Sequence, residues 1–338
     1  MHARLRRHLN ASRGQRLVHR IGWVLLGVLI LVIVLVGILI LADRLQRQRV
    51  IREQAALAEG GHFLDVAGVT VHYRESGPGS DGSVADPAAP LVLIHGLLGS
   101  SQDFEFIQQV LAQKRPVIAV DLIGFGLSDK STALNFSKRA MADTIAGLME
   151  QLGYTRYAIL GHSMGGEVAL HLALAYPDRV ARIVLLDSAG LAQTAPGHSD
   201  GPTAGTRPTQ VPSCLIDLVF QNYYVERQVF RTCLADPKPY LPLAFDKLYY
   251  FVAQIPPETL AHFIADSDSG SIADRLGTIS QSTWIIWGEQ DRIIPLTQGR
   301  LLQAAIPGST LQVIPECGHL PYLEKPDELV ALIDYFLE

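Results

Sequence analysis

The chain has 338 residues, too long for one average domain and enough for one large domain or two small ones. Its charge is unevenly divided: residues 1–60 carry ten Arg against the three acids Asp43, Glu53 and Glu59, a balance of +7, while the rest carries 18 basic and 30 acidic side chains, a balance of −12. A body that acidic argues against nucleic-acid binding, a 48% hydrophobic and 18% charged composition argues against disorder, and three cysteines, Cys214, Cys233 and Cys317, leave no disulfide-built mini-fold and no zinc cluster.

The first element is the run from Ile21 to Leu41, IGWVLLGVLILVIVLVGILIL, which holds no charge and no Pro. At ~1.5 Å per residue it spans roughly 30 Å, one hydrocarbon core. A cleaved signal peptide would have a shorter apolar region and an A-x-A-like exit, and Leu41-Ala42-Asp43 is not one. An uncleaved anchor over 21–42 is expected, after a basic segment 1–20 and before a polar, helix-prone stalk 43–60. Six Arg precede the span and four follow it closely. The positive-inside rule therefore favours a cytoplasmic N-terminus and an extracytoplasmic body, by a margin of two. Both flanks can also rest on anionic headgroups.

Beyond the stalk the pattern alternates. His62–Glu75 reads as a hairpin turning at Ala67-Gly68, and 76–90 as a loop. Apolar runs at 91–96, 116–122, 157–163, 181–188, 282–288 and 309–316 read as strands. Helical patterns at 101–112, 137–152, 164–175, 297–305 and 326–337 separate or follow them. Apolar strands between helices predict a mostly parallel sheet covered on both faces. Residues 61–190 and 276–338 form this core. Residues 191–275 interrupt it with a Gly/Pro/Thr/Ser-rich stretch, 193–213, and then a helical region. Residues 214–263 hold ten of the chain's 22 Phe and Tyr. Such an insertion reads as a cap over the strand C-termini, the edge where open α/β sheets bind ligands. The aromatics either form the cap's own core or face a pocket, and ten of them leave several for the pocket.

The candidate chemistry lies on that edge. Gly161-His162-Ser163-Met164-Gly165 matches G-x-S-x-G at a strand–turn–helix junction, which exposes a serine hydroxyl on a sharp turn. Serine needs a base, and the base needs an orienting acid. In chain order these are Ser163, Asp291 just past strand 282–288, and His319 just past strand 309–316. Asp187, ending strand 181–187, is the alternative acid. An oxyanion needs fixed donors: the Met164 N–H at a helix start and the Leu97 N–H in His95-Gly96-Leu97-Leu98-Gly99 are the choices. His95 reads as ordering that loop, and His162 as the variable residue of the elbow. This chemistry calls for no metal or organic cofactor.

Five segments, HGLLGSS (95–101), DLIGFGLSDK (121–130), GHSMGG (161–166), WGEQDRIIP (287–295) and CGHLPYLEKP (317–326), resemble the α/β-hydrolase fold family over roughly residues 61–338. The resemblance implies an eight-stranded sheet and a cap lid, with Ser163, Asp291 and His319 as nucleophile, acid and base and with oxyanion donors at Leu97 and Met164. An anchor joined to such a body is similar to membrane-bound monoacylglycerol-lipase-like members. The 193–213 stretch is not part of the common pattern.

The expected activity is hydrolysis of lipid-like carboxylic esters at a bilayer, with an apolar acyl ester and the membrane lipid as partners. Dehalogenases and epoxide hydrolases carry Asp at the elbow, and prolyl iminopeptidases usually carry Trp after the serine; Ser163 and Met164 argue against these. Carbon–carbon bond hydrolases of aromatic ring-cleavage products share the triad and stay open, as does a non-catalytic binding protein on the same fold. With an extracytoplasmic body a Cys214–Cys233 bridge is expected, with Cys317 free; two buried thiols are the alternative.

Overall fold

A computed structural model describes residues 2–78, 89–191, 212–266 and 271–338. The loop 76–90 and the stretch 193–213 therefore lie largely outside the described residues. The chain forms two compact units, one up to Arg49 and one from Val50 to Glu338.

The first unit lies within a single helix, α1 (His2–Glu53). Without Pro, nothing ends the helix at residue 42, and it runs through most of the expected stalk. From Leu25 to Leu41 every side chain is exposed. Mean hydropathy there reaches 3.5, so the helix is long and apolar enough to cross a membrane.

The second unit is built on an eight-stranded sheet of order β1-β2-β4-β3-β5-β6-β7-β8. β1 (His62–Val66) and β2 (Val69–Ser76) form the hairpin, with Val66 opposite Val69. Ala67 and Gly68 both take positive φ, 54° and 86°, as a two-residue hairpin turn demands. β2 pairs antiparallel with β4 (Val117–Val120), and β4 parallel with β3 (Leu91–Ile94). β5 (Tyr157–His162), β6 (Val180–Leu186), β7 (Ser282–Gly288) and β8 (Thr310–Ile314) continue in parallel from β3.

Alternation sorts the strand residues onto two cores. Val92, Ile118, Ile159, Ile183 and Ile285 pack with α3 (Lys138–Gln151), α4 (Met164–Ala175) and α9 (Leu296–Ala305). Leu93, Ala119, Leu160, Val184 and Ile286 pack with α2 (Glu105–Leu111) and α11 (Pro326–Leu337). The expected helix 101–112 starts instead as a tighter turn, Ser101–Phe104, because Ser100 and Asp103 form a reciprocal cap on it.

Between β6 and β7 stand the cap helices α5 (Ser213–Phe220), α6 (Tyr223–Cys233), α7 (Leu241–Val252) and α8 (Pro257–Asp266). A short helix, α10 (Pro321–Glu324), follows β8. The cap aromatics divide three ways. Tyr223, Phe230, Phe245 and Tyr249 pack ring to ring at 5.2–5.6 Å. Phe263 meets Phe125 and Phe136 of the sheet domain, and Tyr224 is exposed. Of the ten, Phe230, Phe245 and Tyr249 line the cavity beneath.

The expected Cys214–Cys233 bridge is not formed; all three cysteines are free thiols. Cys214 is exposed near the start of α5, whereas Cys233 ends α6 beside the cavity. The bridge therefore gives no support to an extracytoplasmic body.

Candidate active site

Ser163 occupies the junction of β5 and α4 with φ 53° and ψ −121°. A non-glycine residue there is strained by roughly 1–3 kcal/mol and persists only when its surroundings hold it. They do so through backbone bonds: the Ser163 N–H donates to the Leu186 carbonyl at 3.0 Å, and the Ser163 carbonyl accepts from Gly166 and Ala189 at 2.9 Å each. The turn also needs glycine beside it. A Cβ at Gly161 would collide with the Gly165 backbone, and one at Gly165 with the carbonyls of Ile94 and His95.

His319 follows β8 and is buried. Its Nδ1 lies 2.7 Å from Asp291 Oδ2. The carboxylate can only accept, so Nδ1 carries the proton and Nε2 presents its lone pair. Asp291 is fixed in turn: its Oδ1 accepts the Ile293 and Ile294 N–H groups at 2.7 and 3.0 Å. Ser163 and His319 line one cavity of about 270 Å³. Among the described residues no hydrogen bond joins the Ser163 hydroxyl to His319; such contacts commonly tighten only around a bound substrate.

Asp187, the other acid considered, lies beside this pair but does different work. Its Oδ1 accepts the Gly288 N–H at 2.8 Å, tying the end of β6 to the end of β7. Burial, and next the charge of Asp291, push its carboxyl well above the usual range, so it stays protonated. Ligand atoms of Asp187, Asp291 and His319 come within 4.8 Å of one another. The trio is a poor metal site, because the acid is neutral and the other two are already bonded to each other.

Of the two residues chosen from sequence, Leu97 lines the cavity, whereas Met164 follows Ser163 directly as the first residue of α4 and is not among the lining residues. Neither N–H donates to an acceptor among the described residues. The Leu97 loop is ordered by His95, whose Nδ1 donates to the Gly96 carbonyl at 2.7 Å while Nε2 accepts the Leu122 N–H at 3.0 Å.

Three positioning groups are not singled out by motif reading. Asp121 accepts the Ser101 N–H at 2.5 Å and the Leu127 N–H at 2.7 Å, and pairs with His72 Nδ1 at 2.7 Å. Burial acts to raise its pKa, but the His72 bond and charge prevail and hold it low. It thus ties the 95–101 loop to the sheet. His162, read as the variable elbow residue, donates from Nε2 to the His319 carbonyl at 2.8 Å. Burial, and next the neighbouring His319, push its pKa well down and keep it neutral. Glu324 accepts the Gly318 N–H and the Ala235 N–H at 2.8 Å each. It fastens the His319 loop to the chain leaving α6, where the Cys233 carbonyl accepts the His319 N–H at 2.6 Å. The only sequence signals for these roles are the polar residues embedded in otherwise apolar motifs.

A mostly parallel sheet with a strained serine between β5 and α4, an Asp–His pair beyond β7 and β8 and a helical cap defines a class of hydrolase scaffold. The alpha/beta hydrolase fold family matches residues 89–326, and the chain belongs to it. The chain is 29% identical to 2-hydroxy-6-oxo-6-phenylhexa-2,4-dienoate hydrolase of Comamonas testosteroni over 289 residues, 81% of this chain and 93% of that one. A thermophilic esterase from Thermogutta terrifontis superposes with TM-score 0.66 at 25% identity, covering 82% of this chain and 96% of that one. A bacterial membrane phospholipase A shares the fold with TM-score 0.65 at 22% identity, covering 93% and 97%.

Proposed function

We propose that this α/β hydrolase is a membrane-anchored carboxylic-ester hydrolase acting on lipid-like esters through an acyl-enzyme. The carrying observation is a mainly apolar cavity that joins Ser163 on its strained turn to the His319–Asp291 pair. In this reading the Ser163 hydroxyl attacks the ester carbonyl while His319 Nε2 takes its proton. The Leu97 and Met164 N–H groups receive the oxyanion. His319 then protonates the departing alcohol, and water repeats the sequence on the acyl-enzyme. Asp291 holds the imidazole tautomer and stabilises its positive charge.

The rival carbon–carbon hydrolysis acts on an anion, as the name of the Comamonas relative states. A carboxylate entering an apolar cavity needs a cation to pair with. No Lys or Arg is among the residues lining this cavity, while Asp103 and Glu226 are. That charge balance favours a neutral ester. The exposed apolar stretch of α1 supports anchoring, and the Arg margin supports a cytoplasmic N-terminus with the body outside.

A fluorophosphonate probe tests the reading directly. Wild type is labelled and Ser163→Ala is not, and p-nitrophenyl esters of medium chain are turned over. An unlabelled wild type with no esterase activity would leave a binding protein on this fold. Resistance of the full chain to alkaline extraction from membranes tests the anchor.

A further inference from the structure

A second Asp–His pair lies apart from the cavity lining. His72, on β2, is 2% exposed, and Asp121, just past β4, is fully buried. His72 Nδ1 meets Asp121 Oδ2 at 2.7 Å, and Nε2 meets the Gly60 carbonyl at 3.2 Å. A carboxylate and a carbonyl can only accept, and a neutral imidazole has one N–H to give. Both bonds together therefore require the imidazolium, with a proton on each nitrogen. The backbone is shaped to the ring: a Cβ at Gly61, where φ is 85°, would collide with His72 Nε2. The other charged and titratable groups facing the pair are Arg74, on the same face of β2 and near Gly60, and His95, Lys130 and Asp103, which interact with Asp121 at longer range.

The other donors to this carboxylate, among the described residues, belong to turns around the site. Asp121 Oδ1 takes the Ser101 N–H at 2.5 Å, and Oδ2 takes the Leu127 N–H at 2.7 Å. The next residue, Leu122, gives its N–H to His95 Nε2 at 3.0 Å. Residues 121 and 122 thus hold both ends of the segment 95–101, and Leu97 lies between the two holds. On its other side the ring reaches the end of the stalk. That part of the chain is seated on the body: Val50 is fully buried, and Leu57 and Ala58 pack on the core cluster that contains Phe104 and Leu111. A buried ion pair is a poor stabiliser, because an apolar pair of similar size avoids the desolvation. The pairing of β2 with β4 needs no charge at position 72. What needs it is the simultaneous hold on Asp121 and Gly60.

We propose that His72 is a positioning residue of the active site: its imidazolium holds Asp121 and, through it, the loop that presents the Leu97 N–H to the oxyanion, while its second N–H fastens the end of the stalk at Gly60 to the same support. This rests on the ester-hydrolase reading, in which Leu97 is an oxyanion donor, and adds to it a residue that never touches substrate. A donor aimed at the transition state is effective only if it is fixed before the reaction, so that no reorganisation is needed when charge develops. Loosening the loop should therefore lower kcat. It should leave KM, set largely by the apolar wall of the cavity, nearly unchanged.

The experiment uses the full-length protein in detergent and one p-nitrophenyl ester, with wild type, His72→Gln, Asp121→Asn and the double variant. Expected for His72→Gln are a kcat lower by about tenfold or more and a KM within about twofold of wild type. The double variant is expected to be no slower than the slower single one, because His72 acts through Asp121. ¹⁵N spectra of histidine-labelled protein at the assay pH are expected to show a proton on each nitrogen of His72. Its signal is the one lost in His72→Gln or moved in Asp121→Asn, so the protonation test survives if either variant fails to fold. A drop in Tm with unchanged kcat overturns the proposal and leaves a structural ion pair. Losses that multiply in the double variant overturn the route through Asp121, and a neutral His72 ring overturns the bridge to Gly60. A wild type that is labelled by fluorophosphonate and active, with His72→Gln at full rate, removes this inference alone. A wild type that is neither labelled nor active on any ester removes the ester reading and, with it, the role in catalysis, while the spectrum still decides whether His72 bridges Asp121 and Gly60.

Discussion

The two walls of the cavity differ in how they are held. On the core side, the functional groups are tied to buried polar partners: Asp291 to two backbone N–H groups, His319 to Asp291 and the Cys233 carbonyl, and the Leu97 loop to His95. On the cap side, α6 and α7 present Val229, Phe230, Phe245, Leu248 and Val252, held by packing and by aromatic contacts. Directional bonds fix atoms to within a fraction of an ångström, as proton transfer requires. Apolar packing tolerates a change of side chain if volume is kept. On the proposed reading, the core wall sets the chemistry and the cap wall sets the choice of substrate. Changes on the first should alter kcat by orders of magnitude, and changes on the second should shift preference among substrates.

The hardest break in this contrast is at the core. Ser163→Ala is expected to lower kcat by several orders of magnitude, and Asp291→Asn to be nearly as severe because it loses the tautomer and the charge. Asp187→Asn, a few ångströms away, should leave turnover within about tenfold, because a neutral amide reproduces both the size and the charge of the protonated acid. Steady-state kinetics of the three variants on one p-nitrophenyl ester decides it. A crippled Asp187→Asn with an active Asp291→Asn would transfer the acid role to Asp187.

At the cap the effects are smaller and selective. Each buried CH₂ is worth about 0.8 kcal/mol, or roughly fourfold. The value of kcat/KM should therefore rise from acetyl over the next several carbons and level off when the cavity is full. Val252→Trp, which adds volume on α7, should move that plateau to shorter acyl chains. A flat wild-type profile from acetyl to octanoyl would mean that the apolar wall does not hold the acyl group.

Much of the core wall is legible in the sequence, and little of the cap wall is. Ser163, Asp291 and His319 each follow a run of apolar strand residues, and the parallel order that such runs between helices imply puts their C-terminal ends at one sheet edge. The strands 282–288 and 157–163 are read almost to the residue, because Gly and polar residues bound them sharply. What escapes is pairing across the chain. Nothing local in GHSMGG tells that His162 will meet the His319 carbonyl 157 positions away. Nothing in PYLE tells that Glu324 will close on Ala235. Counting aromatics foretold an aromatic cap but not its division among cavity, cap core and sheet. The disulfide failed for the same reason: spacing of 19 says nothing of which way two helices turn their faces.

Glu324 joins the two walls, so its loss should be felt in stability before chemistry. Glu324→Leu strands the Gly318 and Ala235 N–H groups, at about 1–3 kcal/mol each. The expected outcome is a clear drop in Tm together with a raised KM. A variant with wild-type Tm would mean that the bonds of His319 to the Cys233 carbonyl, to His162 and to Asp291 hold the loop without Glu324.

The smallest expected effect tests whether the cap wall is as apolar as it looks. Glu226 has an unperturbed pKa of 4.5 and is raised by burial to about 7 in the folded chain. Between these values the native state binds a proton that the unfolded state releases. Stability therefore falls as pH rises from about 4.5 to about 7 and stays reduced above it. The cost is on the order of 1 kcal/mol once partial solvent access is allowed for, or a couple of degrees in Tm for a body of this size. Glu226→Gln removes that titration, so its Tm should match wild type at pH 4 and exceed it at pH 8. Asp103 is also pushed by burial to about 7 and slopes the wild-type curve in the same window. The difference between the two curves, and not the wild-type slope, therefore isolates Glu226. Curves that stay parallel from pH 4 to pH 8 would show that the carboxylate ionises freely in water. The cap wall would then be open to solvent beside Glu226, and the contrast between the two walls would lose its apolar side.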